Sequence, residues 1–234
     1  MDVMTAIPLP DPHPTPIRSR APRLSEEIFG FSWSDLVGRP IGTGGAVLRL
    51  ADYAEVEAFL ARHRSTLVAP EAARTGFAQL EDGPAKARFC ERAMDAFVVE
   101  HGDGPVGVFV GQPWDWGTYY LRYLAMLPSH RGHGAVAGVI EQFAAFLGLH
   151  GFERLEADVS ISHLAQLRRV IGCGFHPMGT LHSERWGALL HLVRFLSERH
   201  EAVFLDQFSA GLRSPVRKNV RTEASTENTN RRNE

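Results

Sequence analysis

Between Leu127 and Gly138 the sequence reads LPSHRGHGAVAG, which sets an arginine, two histidines and two glycines directly ahead of an apolar run with helical spacing. The first turn of a helix carries unpaired N–H groups and a partial positive charge. Gly132 and Gly134 remove the Cβ atoms that would keep a bulky anion off that backbone, and Arg131 adds a fixed charge with a planar donor fork. The chemistry that suits this pattern is the binding of a diphosphate. An isolated glycine pair more often marks a simple turn, but the flanking strand, the arginine and the amphipathic helix tip the balance toward an anion. His130 and His133 supply too few ligands to define a metal site.

No glycine-lysine-serine/threonine ending is present, so the stretch is not a P-loop. Gly132, Gly134 and Gly138 resemble a loosened dinucleotide fingerprint, with Glu156 about 20 residues on where a ribose-binding acid would sit. An NAD(P)-binding oxidoreductase ranks below the other readings, because that fingerprint opens a parallel sheet and the upstream strands read as an antiparallel meander.

The elements around this loop alternate. AVLRL gives a strand, and Asp52 with Glu55 three residues on gives a capping box for a helix whose face is Val56, Phe59, Leu60 and His63. Pro70 opens a further helix and AKARFCERAM forms another. Two β-rich runs flank Asp103-Gly104, a hairpin signal, and TYYLRYLAML is the next strand. After the glycine stretch, Val136, Val139, Ile140, Phe143 and Leu147 mark a helix that stops at Gly151. RLEADVSI alternates, with Leu155, Ala157, Val159 and Ile161 on one face and Glu156, Asp158 and Ser160 on the other. Ser162 is placed to cap a helix carrying Leu164, Leu167 and Ile171 and ending at Gly174, and two strands follow. The strand–helix–strand step at the glycine stretch predicts one parallel crossover in a mostly antiparallel sheet, an α/β architecture.

With 234 residues the chain suits one domain with extensions. Residues 1–40, rich in proline, are expected as an unpacked extension, 45–197 as the domain, and 198–234 as a C-terminal extension disordered toward its polar end. Net charge is −2, which supplies no field for nucleic acid or an anionic membrane. The two cysteines make no metal spacing or disulfide framework, and no secretory signal is visible, so a cytoplasmic setting is expected.

The stretch LPSHRGHGAVAGVI is similar to the acyl-CoA-binding motif of the GNAT superfamily of N-acyltransferases, in which arginine or glutamine, two residues, glycine, one residue, then glycine or alanine follow a proline-ended strand. Arg131 and Gly134 fill the two most telling positions, and Val136 stands where glycine or alanine is usual. HLAQLRRVIGCGF is similar to the family's later helix ending in glycine-phenylalanine, so the likeness runs from about Gly45 to Leu196. It implies a sheet with splayed central strands and transfer of an acetyl or other short acyl group from acetyl-CoA to an amine, on a small molecule or a protein. It implies that Met126 pairs with the pantetheine arm, that the amides of Arg131, Gly132, His133, Gly134, Ala135 and Val136 hold the CoA diphosphate, and that two copies pair through the last strands. A catalytically silent acyl-CoA-binding module is the alternative.

An amine must lose a proton before it attacks, and the departing thiolate benefits from an acid. The tyrosine that many relatives place four residues before glycine-phenylalanine is Val170 here, the asparagine earlier on that helix corresponds to His163, and a strand carboxylate of some members is replaced by Arg122. The remaining candidates are His163, an imidazole able to act as acid or base, Tyr120 or Tyr119 as a donor to the thiolate, and Glu156 with Asp158 as amine-binding carboxylates. Trp114, Asp115 and Trp116 could wall the acceptor pocket or anchor their loop, and Cys173 reads as packing.

Overall fold

The computed structural model describes residues 22–67, 83–102, 104–183 and 186–212. In chain order the elements are α1 (Leu24–Phe29), β1 (Pro40–Ile41), β2 (Ala46–Leu50), α2 (Tyr53–Arg62), α3 (Arg64–Leu67), α4 (Pro84–Ala93), β3 (Asp95–His101), β4 (Gly104–Pro113) and β5 (Thr118–Met126). There follow α5 (Ala135–Leu149), β6 (Arg154–Ser160), α6 (Leu164–Gly172), β7 (His176–Ser183), β8 (Gly187–Phe195) and α7 (Glu198–Leu212). The strands form one sheet in the order β1-β2-β3-β4-β5-β6-β8-β7, antiparallel throughout except that β5 and β6 run parallel across the α5 crossover. The helix expected at Pro70 lies outside the described residues. No described helix is long and apolar enough to cross a membrane.

The two faces of the sheet follow from strand alternation. On one face Phe97, Phe109, Tyr119, Leu155, Ala157, Val159 and Leu192 meet Val139, Ile140, Phe143 and Leu147 of α5. On the other, Ala96, Val98, Val108 and Val110 pack against Val56 and Phe59 of α2 and Cys90 of α4, with Tyr123 and Ala125 of β5 at the margin.

Five expectations change. Residues 22–40 are not an unpacked extension: Trp33 is fully buried and its ring centroid lies 4.8 to 5.9 Å from those of Phe31, Phe97, Tyr119, Phe143 and Phe146. Asp95, itself buried, accepts from the Ser25 hydroxyl at 2.6 Å, Trp33 Nε1 at 2.9 Å and the Tyr119 hydroxyl at 3.0 Å. Buried Arg23 donates to the carbonyls of Met94, Ala51 and Ala96. Residues 1–21 lie outside the described part.

The capping box at Asp52 does not form, because Arg49 takes Glu55 and Glu100 instead. His163, not Ser162, occupies the N-cap position of α6, without a side-chain cap bond, while the Ser162 hydroxyl bonds that of Ser160. The face that α6 buries is Leu167 and Val170, continued by Cys173. Leu164 and Ile171, which have the right spacing but the wrong phase, are exposed. Ile161 lies past the end of β6 and is exposed too.

Candidate active site

The glycine stretch folds as expected from its backbone. Pro128–His130 form a single 3-10 turn, Gly132 and Gly134 take φ +92° and +73°, and α5 begins at Ala135. Both angles lie in the left-handed region that L side chains rarely adopt. The first α5 hydrogen bond is Gly138 N–H to Gly134 C=O, so the N–H groups of Gly132 through Ala137 have no backbone acceptor among the described residues. A run of free amides in alternating conformations is an anion-binding concavity. The β1–β2 turn braces it: Thr43 N–H donates to His133 C=O at 3.0 Å, and a Cβ on Gly42 would sit 2.5 Å from that oxygen. Arg131 turns back toward the strand, its Nε donating to Met126 C=O at 2.9 Å.

Beside this loop the sheet opens. β5 and β6 pair only at Thr118–Arg154, Tyr119–Leu155 and Tyr120–Glu156, although β5 continues to Met126 and β6 to Ser160. Arg122 is the extra residue of a bulge: Val110 pairs with Tyr123 and Gly111 with Leu121. A bulge bends its strand and re-aims its neighbours, and this one sits just past the last β5–β6 pair. Beyond Tyr120 the β6-facing edge of β5 has no strand partner, which leaves extended backbone beside a slot.

At the closed end of that slot, on the sheet face away from α5, polar side chains line up across three strands. The Tyr120 hydroxyl donates to Asp158 Oδ2 at 2.7 Å, and His191 Nδ1 lies 2.8 Å from Asp158 Oδ1. His191 Nε2 is 3.7 Å from Glu156 Oε2, and Arg154 Nε donates to Glu156 Oε1 at 2.8 Å. Burial first, then the bond to Asp158, push the Tyr120 hydroxyl well above the ordinary phenol range, so it stays protonated. Asp158 and His191 are directly opposed in the β6–β8 ladder, and Tyr120 opposes Glu156 in the β5–β6 ladder. Trp114 lies against Tyr120, ring centroids 5.5 Å apart. Among the described residues no group of three or more His, Cys, Asp or Glu side chains could hold a metal ion.

Comparison with known proteins agrees with this geometry. The model of the acetyltransferase (GNAT) family matches residues 71–175. Residues 71–175 are thus similar to a GNAT acetyltransferase domain. The GNAT domain of S. lividans PAT is similar in fold, with TM-score 0.52 and 12% identity, covering 69% of this chain and 98% of that one. Spermidine N-acetyltransferase from Vibrio cholerae, solved with CoA and spermine, has TM-score 0.50 and 13% identity, covering 65% of this chain and 96% of that one. A search of curated proteins found no match.

The departures from the GNAT pattern have structural explanations. Val136 is partly buried and packs against the core beneath α5, so its branched side chain does not fill the loop. Val170, at the usual tyrosine position, is buried in the same core. Of the expected catalytic residues, Tyr120 and Glu156 come together at the strand parting. His163 sits exposed at the start of α6, outside that cluster. Tyr119 is fully buried on Asp95, where it has no route to a thioester. Trp114 and Trp116 are exposed and do not anchor their loop, which is held by Asp115 accepting from Gly117 N–H and the Thr118 hydroxyl. The sequence pattern marks neither His191 nor its link to Asp158, which reads there only as a companion of Glu156. Their meeting depends on β8 lying next to β6, which alternation along one strand does not reveal.

Proposed function

We propose that this chain transfers a short acyl group, acetyl in the first instance, from acyl-CoA to an amine by direct attack in a ternary complex. The observation that carries the reading is the parting of β5 from β6 immediately beside a loop of unpaired amides. One feature suits a diphosphate and the other suits the extended arm that follows it. In this reading the amides from Gly132 to Val136 hold the diphosphate, the Arg131 N–H being taken by the Pro128 carbonyl at 3.2 Å, and the backbone near Met126 lies along the pantetheine arm. Farther along that open edge, toward the bulge at Arg122, a β5 N–H would meet the thioester oxygen as charge develops on it. The acceptor arrives from the face that presents Tyr120 and Glu156. Much of the rate comes from holding both substrates together.

The spermine in the Vibrio cholerae structure supports choosing amines as acceptors. Pairing of two copies through β7 and β8, and a cytoplasmic setting, belong to the same proposal. The test is consumption of acetyl-CoA by the purified chain against a panel of polyamines, amino acids, aminoglycosides and lysine peptides, read as free thiol. Acceptor-dependent thiol release establishes the transferase. CoA binding without release for any acceptor assigns the chain instead to the silent acyl-CoA-binding module.

A further inference from the structure

Resting on the acyl-transfer reading, we propose that His191 takes the proton from the acceptor ammonium, that Asp158 positions its ring, and that Glu156 holds the ammonium beside it. The argument begins with how Asp158 is occupied. One oxygen accepts from the Tyr120 hydroxyl at 2.7 Å and the other lies 2.8 Å from His191 Nδ1. A carboxylate oxygen is an acceptor, so Nδ1 must carry the hydrogen, and in the neutral imidazole the lone pair is then on Nε2. That nitrogen faces Glu156 Oε2 across 3.7 Å, too far for a direct hydrogen bond. An ammonium group seated at this gap donates one N–H to Nε2 and another to the carboxylate.

The surroundings favour the charged product. Asp158 and Glu156 on β6 flank the ring, and Tyr120 on β5 offers a protonated hydroxyl. Arg154 is already engaged by Glu156, and Arg122 acts on Tyr120. On the other side, the β7 residue opposite His191 is Gly179, which has no side chain to compete. Both carboxylates are mostly shielded, with 17% and 14% side-chain exposure, whereas His191 keeps 29%, so a proton gained there has a path to water.

The step balances. The ammonium gives one proton to His191 Nε2, and the freed lone pair attacks the thioester carbon. The C–N bond forms and the C–S bond breaks. CoA leaves with the bonding pair as thiolate, and the second nitrogen-bound proton of the amine passes to that sulfur. The products are the amide and CoA thiol, and the imidazolium returns its proton to water.

Two readouts test this. The first needs no acceptor: imidazole ¹⁵N spectra of the full chain, with the His191 signal assigned by its loss in His191→Gln. Its neutral form is expected as the Nδ1–H tautomer. The second uses acetyl-CoA with spermidine as probe amine. His191→Gln is expected to lower kcat/KM for the amine by roughly 10²- to 10⁴-fold, the range of general-base catalysis, and to remove the rise of rate with pH. The KM for acetyl-CoA should not move. Asp158→Asn should keep part of that rate, with its pH profile shifted. An Nε2–H tautomer overturns the relay whatever the acceptor. So does wild-type turnover that His191→Gln leaves within threefold and with the same pH profile, and in that case acyl transfer itself stands. Failure of the wild type to bind CoA overturns the acyl-transfer reading and the relay with it.

Discussion

Tyr119 and Tyr120 are neighbours on β5, and each donates its hydroxyl hydrogen to an aspartate. They do so on opposite faces of the sheet. Tyr119 reaches Asp95 in a sealed cluster with Ser25 and Trp33, whereas Tyr120 reaches Asp158 beside the slot, where His191 remains partly open to water. One step along a strand therefore separates a sealed cluster from a partly open one. Burial decides which is which. In the closed cluster every oxygen of the aspartate is spoken for by the fold. In the open one a nitrogen and a carboxylate face each other across 3.7 Å with no hydrogen bond between them.

The comparison can be broken most forcefully at Trp33. Trp33→Ala empties a fully buried aromatic site and removes a donor from Asp95, and should cost about 3–5 kcal/mol, read from chemical denaturation. Tyr119→Phe is milder. It leaves Asp95 one donor short inside the core, which should cost about 1–3 kcal/mol while CoA affinity is retained. Tyr120→Phe should reverse the pattern: stability within about 1 kcal/mol of wild type, since its site is partly exposed, but a shifted pH–rate profile because Asp158 loses a partner. Equal effects of the two Tyr→Phe changes on both stability and rate would erase the distinction.

The pH dependence of stability sharpens it further. Burial holds the Asp95 carboxyl up at about 7, against an ordinary 3.8, despite three donors that favour its ionised form. Between those values the folded chain keeps a proton that the unfolded chain has released. The contribution of Asp95 is therefore fully present below about pH 4 and is lost as pH rises through 7. Asp95→Asn should flatten that decline in melting temperature across about pH 4–7, and a variant that keeps the full decline would assign it to another group. Asp158→Asn should leave it in place.

How much of this was legible in the sequence follows from the range of the interactions. The glycine loop, α5, β5 and the alternation of β6 are local patterns, and the parallel crossover follows from their order. The slot was anticipated from the family resemblance. Residues 22–40 were obscured by the proline-rich stretch before them. Phe29, Phe31 and Trp33, spaced by two, were the signal that this segment packs. The phase of α6 could not be read, since Leu164–Leu167–Ile171 and Leu167–Val170–Cys173 are equally good stripes and only the packed sheet chooses. The Asp158–His191 pair was out of reach for the same reason. β8 slips between β6 and β7, so the register that joins them is a tertiary fact.

The central claim is that the loop from Arg131 to Val136 cradles the CoA diphosphate, and a thermal-shift titration with CoA, acetyl-CoA and NADPH on wild type and Gly134→Asp tests it most directly. Aspartate tolerates left-handed backbone better than most residues, and a Cβ at Gly134 meets nothing closer than 3.7 Å, so the variant should fold while placing a carboxylate against the diphosphate. A ligand that binds only the folded chain raises its melting temperature. CoA and acetyl-CoA should stabilise the wild type and not the variant, with NADPH inert. No response of the wild type to either CoA ligand, or a response to NADPH alone, would contradict the account.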